Sequence, residues 1–206
     1  MGENSLAAMG RFRAFASSLG LNVAQAEAHI LLRGAGWLAR ASAVSGLSQY
    51  SAPKEALLRG MAPALTFFAT DCPQSGRLAD LGCGNGAIGA TIAFFAPNLD
   101  VDLVDRAKRA YTTSELLVGK LNLTNAHAIQ AAIEDLADDY DVAVFRALAP
   151  AGVALPLAAS VVRPGGNVCA YHRRGDTEFE RPTGDLYVLG TRVTLMDELV
   201  LTCYRR

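Results

Sequence analysis

Three glycines at alternate positions, Gly82, Gly84 and Gly86, follow an apolar run ending in Asp80 and precede a helical pattern. A strand that ends in an acid, turns on glycines and enters a helix arrays successive backbone N–H groups around a concave point. A Cβ at those positions would hold a ligand off, or the tight turn demands the left-handed backbone that suits glycine. Asp80, Gly82, Gly84 and Gly86 therefore predict a nucleoside-type cofactor at the end of the first core strand.

Downstream of Arg77, strand-like runs alternate with helical periodicity. Strands are expected at residues 77–80, 100–105, 126–130, 140–146 and 167–172, and helices near 86–95, 107–121 and 151–162. Such alternation implies parallel strands joined by right-handed crossovers, hence an α/β, Rossmann-like sheet flanked by helices. The tail changes character. Residues 186–195 and 199–204 flank a Met196-Asp197-Glu198 turn and read as a β-hairpin, completing a mostly parallel seven-stranded sheet.

The first seventy residues read as helices. Ala8, Phe12, Phe15 and Leu19 recur at helical spacing, and two further helices are expected over 24–33 and around 37–44. Ser51 and Pro53 mark another start, with Leu57, Leu58, Met61, Leu65 and Phe68 on its apolar face and a kink or break expected at Pro63. The turn-rich residues 71–76 read as a linker. The expected organisation is an N-terminal helical extension, 1–75, and a cofactor-binding domain, 76–206.

No stretch approaches about 20 uninterrupted apolar residues, so no membrane span is expected. Residues 1–10 lack the basic and apolar segments of a signal peptide, and a cytoplasmic chain is the expectation. Cys72, Cys83, Cys169 and Cys203 are scattered without C-x-x-C spacing, so neither a metal site nor a disulfide framework is expected and the thiols read as free and buried. The net charge of −1 argues against an overall nucleic-acid footprint. Its distribution is uneven: residues 1–75 carry six basic and four acidic side chains, 76–162 six and ten, and 163–206 seven and six. The positive excess at both ends permits a phosphate-facing surface.

Gly84-x-Gly86-x-x-Gly89 also fits the dinucleotide fingerprint, a weak signal alone. Asp80 discriminates, because a carboxylate beside the loop compensates a cationic ligand but repels a pyrophosphate. Asp105 ends the second strand, where it suits the ribose hydroxyls of either cofactor. The Arg163-Pro164-Gly165-Gly166 turn and the terminal hairpin are both frequent in methyltransferases. S-adenosylmethionine is therefore expected rather than NAD or a flavin.

Three segments narrow the likeness. Leu103-Val104-Asp105-Arg106-Ala107-Lys108-Arg109 is an acid-ended strand followed by a Lys-Arg pair on the next helix. Leu121-Asn122-Leu123-Thr124-Asn125-Ala126, with Ile133-Glu134 beyond, is a helix end and a turn after the third strand. The run from Tyr140 to Pro150 places Arg146-Ala147 directly after the fourth strand. On these residues, 76–175 resembles the core of class I S-adenosylmethionine-dependent methyltransferases. More narrowly it is similar to the RsmG (GidB) family, which methylates N7 of a guanosine in small-subunit ribosomal RNA.

The resemblance implies that the Ala87 backbone lies near the methionine moiety and that Ile133 and Glu134 frame the adenine. Arg146, at the carboxyl end of a central strand, projects into the ligand crevice, to hold the cofactor carboxylate or a substrate phosphate. Lys108, Arg109 and His172 are the other substrate-side candidates; no residue is singled out as catalytic. His29 reads as a packed histidine and His127 carries no signal. Trp37 and the phenylalanines read as core, and Asp135, Asp138 and Asp139 as solvated acids. The chain departs from the family pattern at residues 59–65, which include Gly60 and Pro63 and lack a His-x-x-Asp-Ser-Leu segment. Ala87 follows the loop in place of proline, and Ala132 stands in place of arginine.

The expected reaction is methyl transfer to a nucleic-acid base, guanine N7 in small-subunit rRNA, where the free lone pair makes a general base unnecessary. Two alternatives stay open. The missing His and Asp favour the same fold acting on a small molecule or protein, and the altered loop favours a cofactor-binding regulatory protein with little turnover.

Overall fold

The computed structural model describes residues 3–206 except 138, 182 and 197, so Asp138 and the centre of the Met196–Glu198 turn lie outside the described residues. Two helices, α1 (Glu3–Ser18) and α2 (Gln25–Ser45), precede a stretch whose pitch changes twice. It begins as α3 (Pro53–Glu55), becomes π-helical over Ala56–Met61 and tightens to 3-10 over Ala62–Ala69. The second change falls beside Pro63, whose missing N–H cannot extend the preceding ladder. Strands and helices then alternate: β1 (Gly76–Leu81), α4 (Ala87–Phe95), β2 (Leu99–Val104), α5 (Lys108–Leu121), β3 (Ala126–Ile129), β4 (Tyr140–Arg146), α6 (Ala151–Val161) and β5 (Val162–Arg173). A hairpin of β6 (Tyr187–Val193) and β7 (Leu199–Arg205) closes the chain.

The sheet order is β3-β2-β1-β4-β5-β7-β6, parallel from β3 to β5, with β7 antiparallel to both of its neighbours. Its two faces are covered differently. On one, α6 and Phe179 pack against Leu81, Phe145 and Tyr204. On the other, α4 lies against the strands and the N-terminal helices lie over α4. This explains why α4 carries no polar face. Its sequence, AIGATIAFF, meets protein on both sides, and Thr91, its one hydroxyl, donates to the Ala87 carbonyl at 2.7 Å. Phe12, Phe68 and Phe94 gather around Phe95, with ring centroids 5.1 to 6.3 Å apart, and fasten α1 and the 3-10 stretch to this helix. No helix among the described residues is long and apolar enough to cross a membrane.

Three expectations change. The two helices anticipated over 24–33 and 37–44 are one, α2, which runs unbroken through Gly34 and Gly36. Gly34 serves a close approach instead of a break: a Cβ there would lie 2.6 Å from Leu121 Cδ2 at the end of α5. Arg33 beside it donates to the Lys120 carbonyl at 2.8 Å and to Asn122 Oδ1 at 3.0 Å, clamping the same contact. The second difference is the length of β5. Tyr140 pairs with Val162 and Val142 with Asn167, so residues 163–166 bulge out of a strand that starts before them. The third is His29, which is exposed on α2 rather than packed.

Gly89 lets α4 approach the sheet closely, since a Cβ there would lie 2.4 Å from Leu103 Cδ2 and 2.7 Å from Asp80 Cβ. Alanine favours an open helix by about 1 kcal/mol over glycine. Gly89→Ala should nevertheless destabilise the protein by about 1–3 kcal/mol, because overpacking prevails. Urea unfolding monitored by circular dichroism measures this, and a more stable variant would disprove the close packing.

Candidate active site

The strand order reverses between β1 and β4, and it is at the carboxyl ends of strands around such a point that open α/β sheets bind ligands. Three adjoining cavities lie along this edge. The central one, of about 420 Å³, is walled by the glycine loop, Asp80, Ala87 and Arg146, and from the N-terminal segment by Ser48, Tyr50 and Arg59. A second, about 530 Å³, shares Gly82 and Ala147 with it and is bounded by Asp105, Ile133 and Glu134. The third, about 450 Å³, shares Arg59 and Arg146 and adds Arg173, Arg174 and Glu198.

The loop is built from backbone that most side chains resist. Gly82, Gly84 and Gly86 have φ of 63°, 57° and 77°. A Cβ on Gly82 would also meet Leu148 Cδ1 at 2.7 Å, whereas Gly84 has open space where a Cβ would stand. That space is what a ligand lying against the main chain requires. Asp105 ties the loop down: its Oδ2 accepts the Gly84 N–H at 3.0 Å and its Oδ1 the Ala107 N–H at 2.9 Å. Asn85 Oδ1 accepts the Ala87 N–H at 3.1 Å, capping the entry to α4.

Asp80 is 2% exposed, and its Oδ2 accepts the Gly89 N–H at 2.8 Å. Burial lifts this carboxyl to about 7; the Gly89 N–H opposes the rise, Asp105 reinforces it and Arg146 opposes it. A carboxylate so held favours a cationic ligand nearby. Arg146 ends β4 and donates to the Arg59 carbonyl at 3.0 Å, so its guanidinium stands between the central and third cavities. Directly after it, Ala147 holds φ 53°, a left-handed conformation unusual for a side-chain-bearing residue. Strain of this kind collects at ligand sites.

Asp80, Gly82, Gly84, Ala87, Asp105, Ile133, Glu134 and Arg146 thus converge on one edge, whereas Gly86 lines none of the three cavities and instead serves packing, since a Cβ there would lie 2.9 Å from Ser114 Cβ. The other candidates do not converge there either. His172 is 4% exposed, stacks on Phe179 at 4.9 Å and has both ring nitrogens engaged, by the Arg173 carbonyl and Thr202 Oγ1. Its strand pleat turns it into the α6 side of the core, while Arg173 and Arg174 line the third cavity. Lys108 and Arg109 are exposed in the first turn of α5 and line none of the three cavities. Tyr50 and Arg59 had no motif to reveal them. Three of the four cysteines, far apart in sequence, come together elsewhere, at the sheet's helical face.

S-adenosylmethionine suits this donor set: open space at Gly84 for close approach, a buried carboxyl for the cationic portion, and Asp105 with Glu134 on the nucleoside side. Fold and cavity together define a class I S-adenosylmethionine-dependent methyltransferase. Solved structures agree on the fold. The tRNA (m1A58) methyltransferase TrmI of Aquifex aeolicus superposes with a TM-score of 0.53 at 16% identity, over 69% of this chain and 68% of that one. TYW2 of P. horikoshii, in complex with MeSAdo, gives 0.53 at 13%, over 66% and 59%. The family described as rRNA small subunit methyltransferase G (GidB) matches residues 30–201. Relatives carrying the name ribosomal RNA small subunit methyltransferase G include one from Bordetella avium, 30% identical over 80% of this chain and 76% of its own length. Another, from Thermotoga neapolitana, is 37% identical over 47% and 44%. The chain belongs to this family.

The raised Asp80 carboxyl fixes the sign of a pH dependence. Its native value, about 7, lies above the unfolded one near 4, so the ligand-free protein loses stability as pH rises between them. Asp80→Asn removes that loss and should stabilise the ligand-free protein at pH 8 by at most roughly 4 kcal/mol, with little change at pH 4. A cationic ligand favours the ionised form, so S-adenosylmethionine affinity should rise up to about tenfold per pH unit below 7 and then level off. Calorimetry from pH 5.5 to 8.5 measures it, and a flat wild-type profile would contradict the assignment.

Proposed function

We propose that the chain transfers a methyl group from S-adenosylmethionine to N7 of a guanosine in small-subunit rRNA. The observation that carries this reading is Arg146, shared between the central cavity and a neighbouring one surrounded by Arg59, Arg173 and Arg174. Four guanidiniums around a space that opens beside the cofactor cradle suit phosphates flanking a base. The names of the relatives and the family description agree with an rRNA substrate.

S-adenosylmethionine supplies, when bound, a methyl carbon made electrophilic by its sulfonium. The work of the chain is then positional. Asp105 and Glu134 would accept from the nucleoside, with Ile133 beside them in the same cavity. Gly84, with open space where a Cβ would stand, would admit the ligand to the main chain, and Ala87 would border its amino-acid portion. Asp80 compensates positive charge, and Arg146 forks onto the carboxylate of the cofactor or a phosphate of the substrate. Guanine N7 already presents a lone pair, so no side chain has to remove a proton before transfer. The histidines suit this simplicity, since His29 and His127 are exposed and His172 is stacked in the core. Alignment of nitrogen, carbon and sulfur, with water expelled, accounts for the acceleration. The basic third cavity gives the rRNA reading more support than a small-molecule or protein substrate, or a regulator with little turnover.

Incubation of purified protein with labelled S-adenosylmethionine and either small subunits or naked 16S rRNA tests the reaction, with nucleoside analysis as readout. Label in 7-methylguanosine is expected, and label only in another nucleoside, or none, would remove the proposal. Arg146→Ala should lower kcat/KM about a hundredfold through misplacement alone. Arg146→Lys should restore little of it, because a single ammonium cannot reproduce the fork.

A further inference from the structure

Cys72, Cys169 and Cys203 converge from three elements: the linker before β1, the middle of β5 and the middle of β7. Cys169 and Cys203 face each other in the β5–β7 register with sulfurs 2.9 Å apart, and Cys72 Sγ lies 3.3 Å from Cys169 Sγ. All three ligand atoms fall within 4.8 Å of one another, and all three residues are buried. Thiols are weak hydrogen-bond partners, so their mutual attraction offers little reason for three sulfurs to crowd at this spacing. A shared soft cation offers a strong one.

We propose that these three thiolates form a three-coordinate site for a thiophilic monovalent cation of the Cu(I) type. The donor set is sulfur alone, and no fourth His, Cys, Asp or Glu joins it among the described residues. Structural zinc asks for four ligands, whereas an all-thiolate trigonal set is chemistry that selects Cu(I). With metal–sulfur bonds of about 2.3 Å the sulfurs would stand about 4 Å apart, so the observed pairs need open by only about 1 Å. Three thiolates around one monovalent ion leave two negative charges. Arg205, two residues from Cys203 on β7, and Arg192, on the neighbouring β6, supply positive charge against that excess. Arg192 is held in place by donating to the Ala69 carbonyl at 3.1 Å. Entry is from the linker, where Asp71, Gln74 and Ser75 around Cys72 are exposed. The bound ion would tie the linker to β5 and β7. The proposal is independent of the substrate reading above.

The full chain, reduced and handled without oxygen, is titrated with Cu(I) against the chelator bathocuproine disulfonate. One equivalent should be retained, with thiolate-to-copper absorption in the near ultraviolet and a higher Tm in the loaded protein. Cys72→Ser, at the exposed linker, should weaken retention about a hundredfold or more, since even outer partners of a metal contribute up to that factor. Cys83→Ser, in the glycine loop, should retain the full equivalent. Circular dichroism of each variant reports that it has folded, and Cys72→Ser decides the matter if Cys169→Ser does not fold. The proposal is overturned by failure of the wild-type protein to hold copper against the chelator, or by undiminished retention in Cys72→Ser. Tighter binding of Zn(II) than of Cu(I), or isolation with a Cys169–Cys203 disulfide that resists reduction and loading, would also overturn it.

Discussion

The Asp80 carboxylate accepts the Gly89 N–H at 2.8 Å and thereby fixes the distance between the end of β1 and the first turn of α4. Everything that faces a ligand hangs from that distance. The glycine loop spans it, Asp105 braces the loop from the neighbouring strand, and Ala87 opens the helix that follows. A carboxyl buried to this extent disfavours its own charge, so the ligand-free edge is held under electrostatic tension. A cationic ligand relieves it. The same group therefore costs stability in the empty protein and contributes affinity in the loaded one, the exchange expected where a site is built into a core.

The N-terminal helices are not an ornament on this sheet. They share one hydrophobic cluster with α4, β1 and β2, and the α4 sequence only makes sense with a layer on each side. An apolar nine-residue helix with a single hydroxyl would be a liability on a surface. Here Phe95 gathers phenylalanines from α1 and the 3-10 stretch, and Gly34 lets α2 come down on α5. Rigid packing on that side keeps Ser48, Tyr50 and Arg59 at the rim of the central cavity.

Much of this was legible in the residues, and the reasons it was or was not are physical. The alternation after Arg77 followed from two periodicities that are hard to confuse over whole elements, and β4 spans the expected residues 140–146. The glycine loop was legible because left-handed backbone and close approach leave few other residues possible. The unbroken α2 was not, because a glycine inside a helix looks the same whether it breaks the helix or receives a neighbour. His172 was misread because alternation along β5 fixes two faces without saying which meets the cavity. The cysteines escaped because their partners are set by strand register, Cys169 opposite Cys203, and not by sequence spacing.

One wall of the clefts is the π-helical stretch, and its geometry brings two side chains to the cavities. Gly60 leaves room for the Tyr50 hydroxyl, which would stand 2.9 Å from a Cβ. Tyr50 is thereby brought to the central cavity. One residue earlier, the Arg59 carbonyl accepts the Arg146 guanidinium at 3.0 Å, and its side chain borders the third cavity. π-helical turns recur at functional sites because widening the turn redirects groups that a regular helix would keep for itself. The sheet edge and its loop thus define one half of the site, and the helical wall around Gly60 defines the other. Arg146 joins the two halves through the Arg59 carbonyl, beside the hydrophobic cluster that the N-terminal helices share with α4.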